Sequence, residues 1–128
     1  MPASPTPQRF ALVVDDEPLI RMLAVDMLSD RGFAAYEAEN GFDALTVLNG
    51  HPEIRLLLTD INMPGTPDGL GLAFEARARR PDLRIIVTSG RVKPALDELP
   101  AGGRFISKPY TSSELCAAIA LSNDGLDA

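Results

Sequence analysis

The chain has 128 residues, enough for one domain with a single two- or three-layer core. Hydrophobic residues make up 45% and charged residues 23%, the balance of a globular fold, and no apolar run approaches the ~20 residues needed to cross a bilayer. The net charge of −6 argues against direct DNA or RNA binding, which leans on cationic side chains facing phosphates, and suits a bound cation better.

Residues 1–8 lack the basic start and apolar middle of a signal peptide and read as a short disordered tail. The single cysteine, Cys116, rules out an internal disulfide and fits a reducing cytoplasm; it reads as a small core residue on the last helix. Phe10-Ala11-Leu12-Val13-Val14 is an apolar run that stops at Asp15-Asp16-Glu17-Pro18, a buried strand delivering carboxylates to its C-terminal end. Pro18 suits the first turn of a helix, where a missing N–H costs nothing. Ile20, Leu23, Ala24, Met27 and Leu28 recur at helical spacing, with Arg21, Asp26 and Asp30 opposite, and Gly32 ends the helix.

Phe33 to Ala38 is a weaker strand, expected near a sheet edge. Asn40 can cap a second helix carrying Ala44, Leu45 and Leu48, which Asn49-Gly50-His51-Pro52 breaks. His51, in that turn, reads as a surface loop residue rather than a phosphotransfer group. The central strand follows, from about Ile54 to Asp60, its Leu56-Leu57-Leu58 run bounded by turn signals as in a strand buried on both faces. Gly65-Thr66-Pro67-Asp68-Gly69 is loop chemistry. A third helix is expected from about Leu70 to Arg80, burying Leu72, Ala73 and Ala76.

Leu83 to Val87 forms the next strand and ends in Thr88-Ser89-Gly90. Between Arg91 and Pro100 a fourth helix is expected, but Pro94 and Pro100 leave room for two turns, partly unwound. Gly102-Gly103 turns into Arg104-Phe105-Ile106-Ser107, which reaches Lys108-Pro109; on spacing alone Phe105 reads as core. Thr111-Ser112-Ser113-Glu114 has capping-box spacing, with Leu115, Ala118 and Ile119 behind it. The domain is expected to span 9–121, followed by a C-terminal tail over 122–128.

Alternating strands and helices with short loops predict an α/β fold: a doubly wound, five-stranded parallel sheet in the order 2-1-3-4-5 with helices on both faces. In that order the switch point lies between strands 1 and 3, where open sheets place their ligands. The ends of strands 1, 3, 4 and 5 then gather Asp15 and Asp16, Asp60, Thr88, and Lys108. Each signal is weak singly, since a strand-end Asp often caps the next helix and a strand-end Thr reflects β-propensity. Jointly, each residue closing its own apolar strand, they are strong.

Two like charges ~4 Å apart at an effective dielectric near 20 repel by about 4 kcal/mol, so gathered carboxylates need a raised pKa, a cation, or both. Ligation by a few carboxylates with room for water suits Mg²⁺, which usually binds beside phosphates. Asp60, from the middle strand, is the best nucleophile candidate, and carboxylates do form aspartyl phosphates. Mg²⁺, the Lys108 ammonium and the Thr88 hydroxyl with loop N–H groups could each meet one phosphoryl oxygen.

Over roughly Arg9 to Leu121 the sequence resembles the receiver domain of two-component response regulators, in the stand-alone form. The matching blocks are Val13-Val14-Asp15-Asp16-Glu17, Thr59-Asp60-Ile61-Asn62-Met63-Pro64, Val87-Thr88-Ser89-Gly90 and Phe105-Ile106-Ser107-Lys108-Pro109-Tyr110. The resemblance implies a flavodoxin-like fold and a cytoplasmic signalling receiver rather than a turnover enzyme. It implies that Asp60 takes phosphate from a sensor histidine kinase or a histidine phosphotransfer protein, and that a downstream protein reads the result, with no nucleic acid, no membrane and no output domain of its own. Asp16, Asp60 and the backbone carbonyl of Asn62 would bind Mg²⁺, with Asp15 assisting through water. Thr88 and Lys108 would hold the phosphoryl oxygens, and the Lys108–Pro109 bond would be cis. Thr88 and Phe105 would form the switch, while Asn62, Ser89 and Gly90 would steer water and so set the phosphate's lifetime.

Two departures stand out. The loop from Pro64 to Gly69 is one residue longer than the usual pattern, with Pro67 where Met is common, which should alter the start of the third helix more than the chemistry. The proline-bearing Arg91–Pro100 stretch weakens the usual signalling face. Two alternatives remain open: an Mg²⁺-dependent phosphohydrolase of the haloacid dehalogenase kind, against which stand Asn62 in place of a second acid and the lack of a cap domain, and a binding module without phosphoryl chemistry, against which stands the intact set of acids, Thr88 and Lys108.

Overall fold

A computed structural model of the chain describes residues 9–122 except Pro64, Thr66 and Val92; the expected N-terminal tail and residues 123–128 lie outside the described residues. In chain order the elements are β1 (Arg9–Val14), α1 (Pro18–Ser29), β2 (Phe33–Ala38), α2 (Gly41–Gly50), β3 (Ile54–Asp60), α3 (Gly69–Arg79), β4 (Arg84–Ser89), β5 (Arg104–Ser107) and α4 (Ser112–Ser122), with one 3-10 turn at Leu96–Glu98. All strand pairs are parallel and the order is β2-β1-β3-β4-β5. This is the doubly wound sheet the alternation predicts, with β2 at an edge.

Side chains alternate across a strand, and here both faces are covered, which is why the strands read as continuous apolar runs. Leu12, Val14, Leu57, Ile85 and Val87 pack under Ala44 and Leu48 of α2 and Leu72, Ala73 and Ala76 of α3. Their neighbours Ala11, Val13, Leu56, Leu58 and Ile86 pack under Ala24 and Leu28 of α1 and Leu115, Ala118 and Ile119 of α4. Each fully buried leucine contributes ~1.5–3 kcal/mol.

The helix ends follow local chemistry. Asn40 Oδ1 accepts from the Asp43 N–H at 2.8 Å, capping α2, and Asp68 Oδ1 accepts from the Gly71 N–H at 2.8 Å, capping α3. At α4 the capping box closes both ways: Thr111 Oγ1 accepts from the Glu114 N–H at 3.1 Å, and Glu114 Oε1 accepts from the Thr111 N–H at 2.8 Å. Gly32 takes φ 88°, the left-handed turn that ends α1.

Four expectations are corrected. Leu23 is 50% exposed and lies outward with Leu19 and Met22, because Ala24 and Leu28 take the sheet-facing stripe. Arg21, expected on the solvent side, folds back and is mostly buried. β4 starts one residue later than expected, at Arg84, and runs on through Thr88 and Ser89. The Arg91–Pro100 stretch forms less helix than two turns, the 3-10 turn alone among the described residues. Pro94 supplies no N–H, and the Ala95 N–H is taken by Glu98 Oε1 at 2.7 Å rather than by a helical carbonyl.

Candidate functional site

The parallel ladder continues past the strand ends and brings their terminal residues together. Asp15 N donates to Ala38 O at 3.2 Å, Ile61 N to Thr88 O at 2.8 Å, and Lys108 N to Ser89 O at 3.0 Å. Thus Asp15, Asp60 and Lys108 come together at the C-terminal edge of β1, β3 and β5, where the switch-point rule expects ligands, while Thr88 pairs in register with Asp60 and is buried. A cleft of 370 Å³ opens there, lined by Asp16, Asp60, Asn62, Gly90, Arg91 and Lys108 among others.

Lys108 Nζ lies 2.8 Å from Asp15 Oδ2 and 3.3 Å from Asp60 Oδ2. The side chains of Asp15 and Asp60 are only 6% and 7% exposed and that of Lys108 16%, so solvent screens these pairs far less than surface ion pairs. Asp15 Oδ1 accepts from the Glu17 N–H at 2.9 Å, and Asp60 Oδ1 from the Asn62 N–H at 3.2 Å. Burial pushes the Asp60 carboxyl above its usual range, aided by the charge of Asp15 and opposed by Lys108 and the Asn62 N–H. Burial alone would lower Lys108, but the hydrogen bond and charge of Asp15, with the charge of Asp60, prevail and hold the ammonium above its ordinary value.

Asp16 is exposed, yet one ligand oxygen from each of Asp15, Asp16 and Asp60 lies within 4.8 Å of the others. An all-oxygen cluster of this kind suits the hard, oxygen-seeking Mg²⁺ ion, which keeps several waters and takes one or two carboxylates directly. Asn62 sits at the cleft mouth, where its Oδ1 accepts from the Ser89 hydroxyl at 2.6 Å, and Ser89 Oγ in turn accepts from the Arg91 N–H at 3.0 Å. Thr88 is buried and pairs in register with Ile106, while Phe105 pairs with Val87 and lies half-buried against the core under α2 and α3. The Lys108–Pro109 bond is cis. His51 lies away from this crevice, its ring 4.2 Å from that of Tyr36 and its Nδ1 3.1 Å from Glu53 Oε2.

Three neighbours escaped the sequence reading. Arg21 donates to the backbone carbonyl of Asp15, Tyr110 sits close enough to feel the charges of Asp15 and Asp60, and Arg91 lines the cleft. For the last two, chain distance from Ser89 and Lys108 was the available signal.

A profile of the response regulator receiver domain matches residues 11–120. The chain is 33% identical over 112 residues to the sensor kinase CckA of Brucella abortus, covering 84% of this chain but 12% of that protein. It is 35% identical over 111 residues to the response regulator receiver protein CpdR of Brucella abortus, covering 84% of this chain and 90% of that one. A solved response regulator receiver protein from Sinorhizobium medicae superposes with a TM-score of 0.82 at 27% identity, over 93% of this chain and 97% of the other. Receiver domains bind Mg²⁺ through an acidic cluster, and such a cluster is present here. No helix among the described residues is long and apolar enough to cross a membrane. With the profile spanning nearly the whole described fold, and with acids and lysine gathered at the crevice, the chain belongs to the response regulator receiver domain family.

Proposed function

We propose that Asp60 accepts a phosphoryl group from the phosphohistidine of a sensor histidine kinase or a histidine phosphotransfer protein, and that a downstream protein reads the resulting change. One observation carries this reading: a single ammonium, Lys108 Nζ, bridges Asp15 and Asp60 in a half-closed crevice, leaving the outer side of Asp60 toward the cleft. Asp16, Asp60 and the Asn62 backbone carbonyl, with Asp15 through water, would hold Mg²⁺, which when bound neutralises the acids and polarises a phosphoryl oxygen.

In the transfer, a carboxylate oxygen of ionised Asp60 attacks phosphorus. The new O–P bond forms as the P–N bond to the donor imidazole breaks; the departing nitrogen keeps the electron pair, and the ring, protonated on its other nitrogen, leaves as neutral imidazole. Lys108 Nζ, already within reach of Asp60, would exchange its Asp15 contact for a phosphoryl oxygen, and the Thr88 hydroxyl would donate to another. Drawing Thr88 toward the phosphate would let the Phe105 ring turn inward, so that a local charge event re-shapes the surface around the preceding segment and β5. Asn62, its amide fixed by Ser89, would steer the water that ends the signal, with the backbone at Gly90 opposite. The chain's own chemistry would then be its phosphorylation and dephosphorylation, not turnover of an external substrate.

Incubating the chain with Mg²⁺ and acetyl phosphate tests this by intact mass and peptide mapping. The expected outcome is one phosphoryl group on Asp60, abolished by Asp60→Asn. Repeated hydrolysis of an external phosphate ester without such an adduct would overturn it in favour of a phosphohydrolase, and neither adduct nor hydrolysis in favour of a binding module.

A further inference from the structure

Arg21 reaches back from α1 to the end of β1. Its Nη1 donates to the backbone carbonyl oxygen of Asp15 at 2.7 Å, and its Nε donates to Glu37 Oε1 on β2 at 2.9 Å. The Arg21 side chain is 18% exposed against 45% for that of Glu37. That carbonyl belongs to the peptide unit joining Asp15 to Asp16, and a peptide unit is planar. Pinning its oxygen therefore restrains the plane that carries the Cα atoms of both acids. Asp15 is otherwise held at its amide by Ala38 O, at Oδ1 by the Glu17 N–H and at Oδ2 by Lys108. Arg21 restrains the peptide plane itself.

We propose that Arg21 is a positioning residue for the acid cluster, holding the Asp15–Asp16 peptide plane in the orientation that receives a divalent cation, with Glu37 as the second prong that fixes its side chain. This rests on reading the cluster as the receiver's Mg²⁺ site. Outer partners that orient metal ligands typically govern affinity by about 10–100-fold when removed. Lysine keeps the charge but lacks the rigid fork that spans both partners, so Arg21→Lys falls between wild type and Arg21→Ala.

The test titrates Mg²⁺ into the unphosphorylated full chain and follows backbone amides by NMR, alongside urea unfolding. Arg21→Ala is expected to need about tenfold more Mg²⁺ for half-saturation, Arg21→Lys less, and Glu37→Ala less again. In the cation-free spectrum the Glu17 amide, which reports on Asp15 Oδ1, should shift in Arg21→Ala. A folded Arg21→Ala with wild-type Mg²⁺ half-saturation and an unmoved Glu17 amide overturns the proposal, even if its urea midpoint falls. Should Arg21→Ala fail to fold, wild-type half-saturation in Arg21→Lys overturns it equally. Wild-type Mg²⁺ binding without an Asp60 adduct sinks the phosphoacceptor reading alone, because the titration still decides on Arg21; a wild type that does not bind Mg²⁺ sinks both.

Discussion

Charge gathered around Lys108 extends to a residue with no part in the proposed transfer. Tyr110 is half-buried against the core under α1 and α4; burial first, then the charges of Asp15 and Asp60, push its phenol up to about 12. The fold favours the neutral phenol, so the stability this group contributes is fully present below the ordinary value near 10 and is lost as pH rises through about 12. Tyr36 is also raised, by its hydrogen bond to Glu53 first, so the measurement is cleanest in Tyr36→Phe. An absorbance titration of tyrosinate in that variant should show a single late ionisation, and adding Asp60→Asn should bring it earlier by removing one charge. An ordinary midpoint unmoved by Asp60→Asn would mean that Tyr110 does not sense the site. The gathering of the acids with Lys108 was legible because each follows or closes an apolar strand, whereas Arg21 was not. Helical spacing assigns a direction to its Cβ, but a long side chain can turn back toward a carbonyl that only the folded β1–α1 turn presents.

Among the elements, the join between β3 and α3 constrains the site most tightly. Gly69 opens α3 and its N–H donates to Ile61 O at 3.2 Å; a Cβ there would overlap the backbone carbonyl oxygen of Asp60. Gly41, at the start of α2, likewise leaves room for the backbone carbonyl of Pro67, tying the longer loop to its neighbour. Overpacking usually costs ~1–3 kcal/mol, and Gly69→Ala should reach or exceed the top of that range because the obstructing atoms are backbone. Gly71→Ala is the milder comparison: its Cβ would meet Asp68 Oδ1 at 3.1 Å and Pro67 Cβ at 3.2 Å, contacts that ask for a shift of a few tenths of an ångström, while alanine gains ~1 kcal/mol of helix propensity. Urea midpoints should therefore fall sharply for Gly69→Ala and little for Gly71→Ala; equal values would refute the backbone-contact argument. Strands and the buried stripes of α2 and α3 were readable from periodicity, but this loop was not. Gly65 to Gly69 showed only turn composition, and neither the Asp68 cap nor the closeness of Gly69 to Asp60 leaves a trace in local pattern.

For the whole molecule, sheet order and coverage set where opening is easiest. β1, β3 and β4 are paired on both sides and covered on both faces, so their amides should exchange only on global unfolding. The alternation of strand and helix made that order legible, yet it overstated the helix between β4 and β5, because two prolines act on hydrogen bonds that periodicity does not count. Between Lys93 and Ala101 the backbone is held by Glu98 N donating to Ala95 O at 2.9 Å, with Leu99 buried beneath and Arg77 Nε donating to Ala101 O at 3.0 Å. This stretch joins Thr88 and Ser89 at one end to Phe105 at the other, so a change at Asp60 would reach Phe105 through a segment whose described residues form only one 3-10 turn. Hydrogen exchange should find 93–98 fast and Leu57, Leu58 and Ile86 slow in the resting chain. Treatment with Mg²⁺ and acetyl phosphate should change exchange most over 90–105 and least in β2 and α2, and Asp60→Asn should abolish the change. Slow exchange across 93–99 at rest, or a change spread evenly over the chain, would show that the segment between β4 and β5 is a rigid part of the scaffold and that the signal leaves the site by another face.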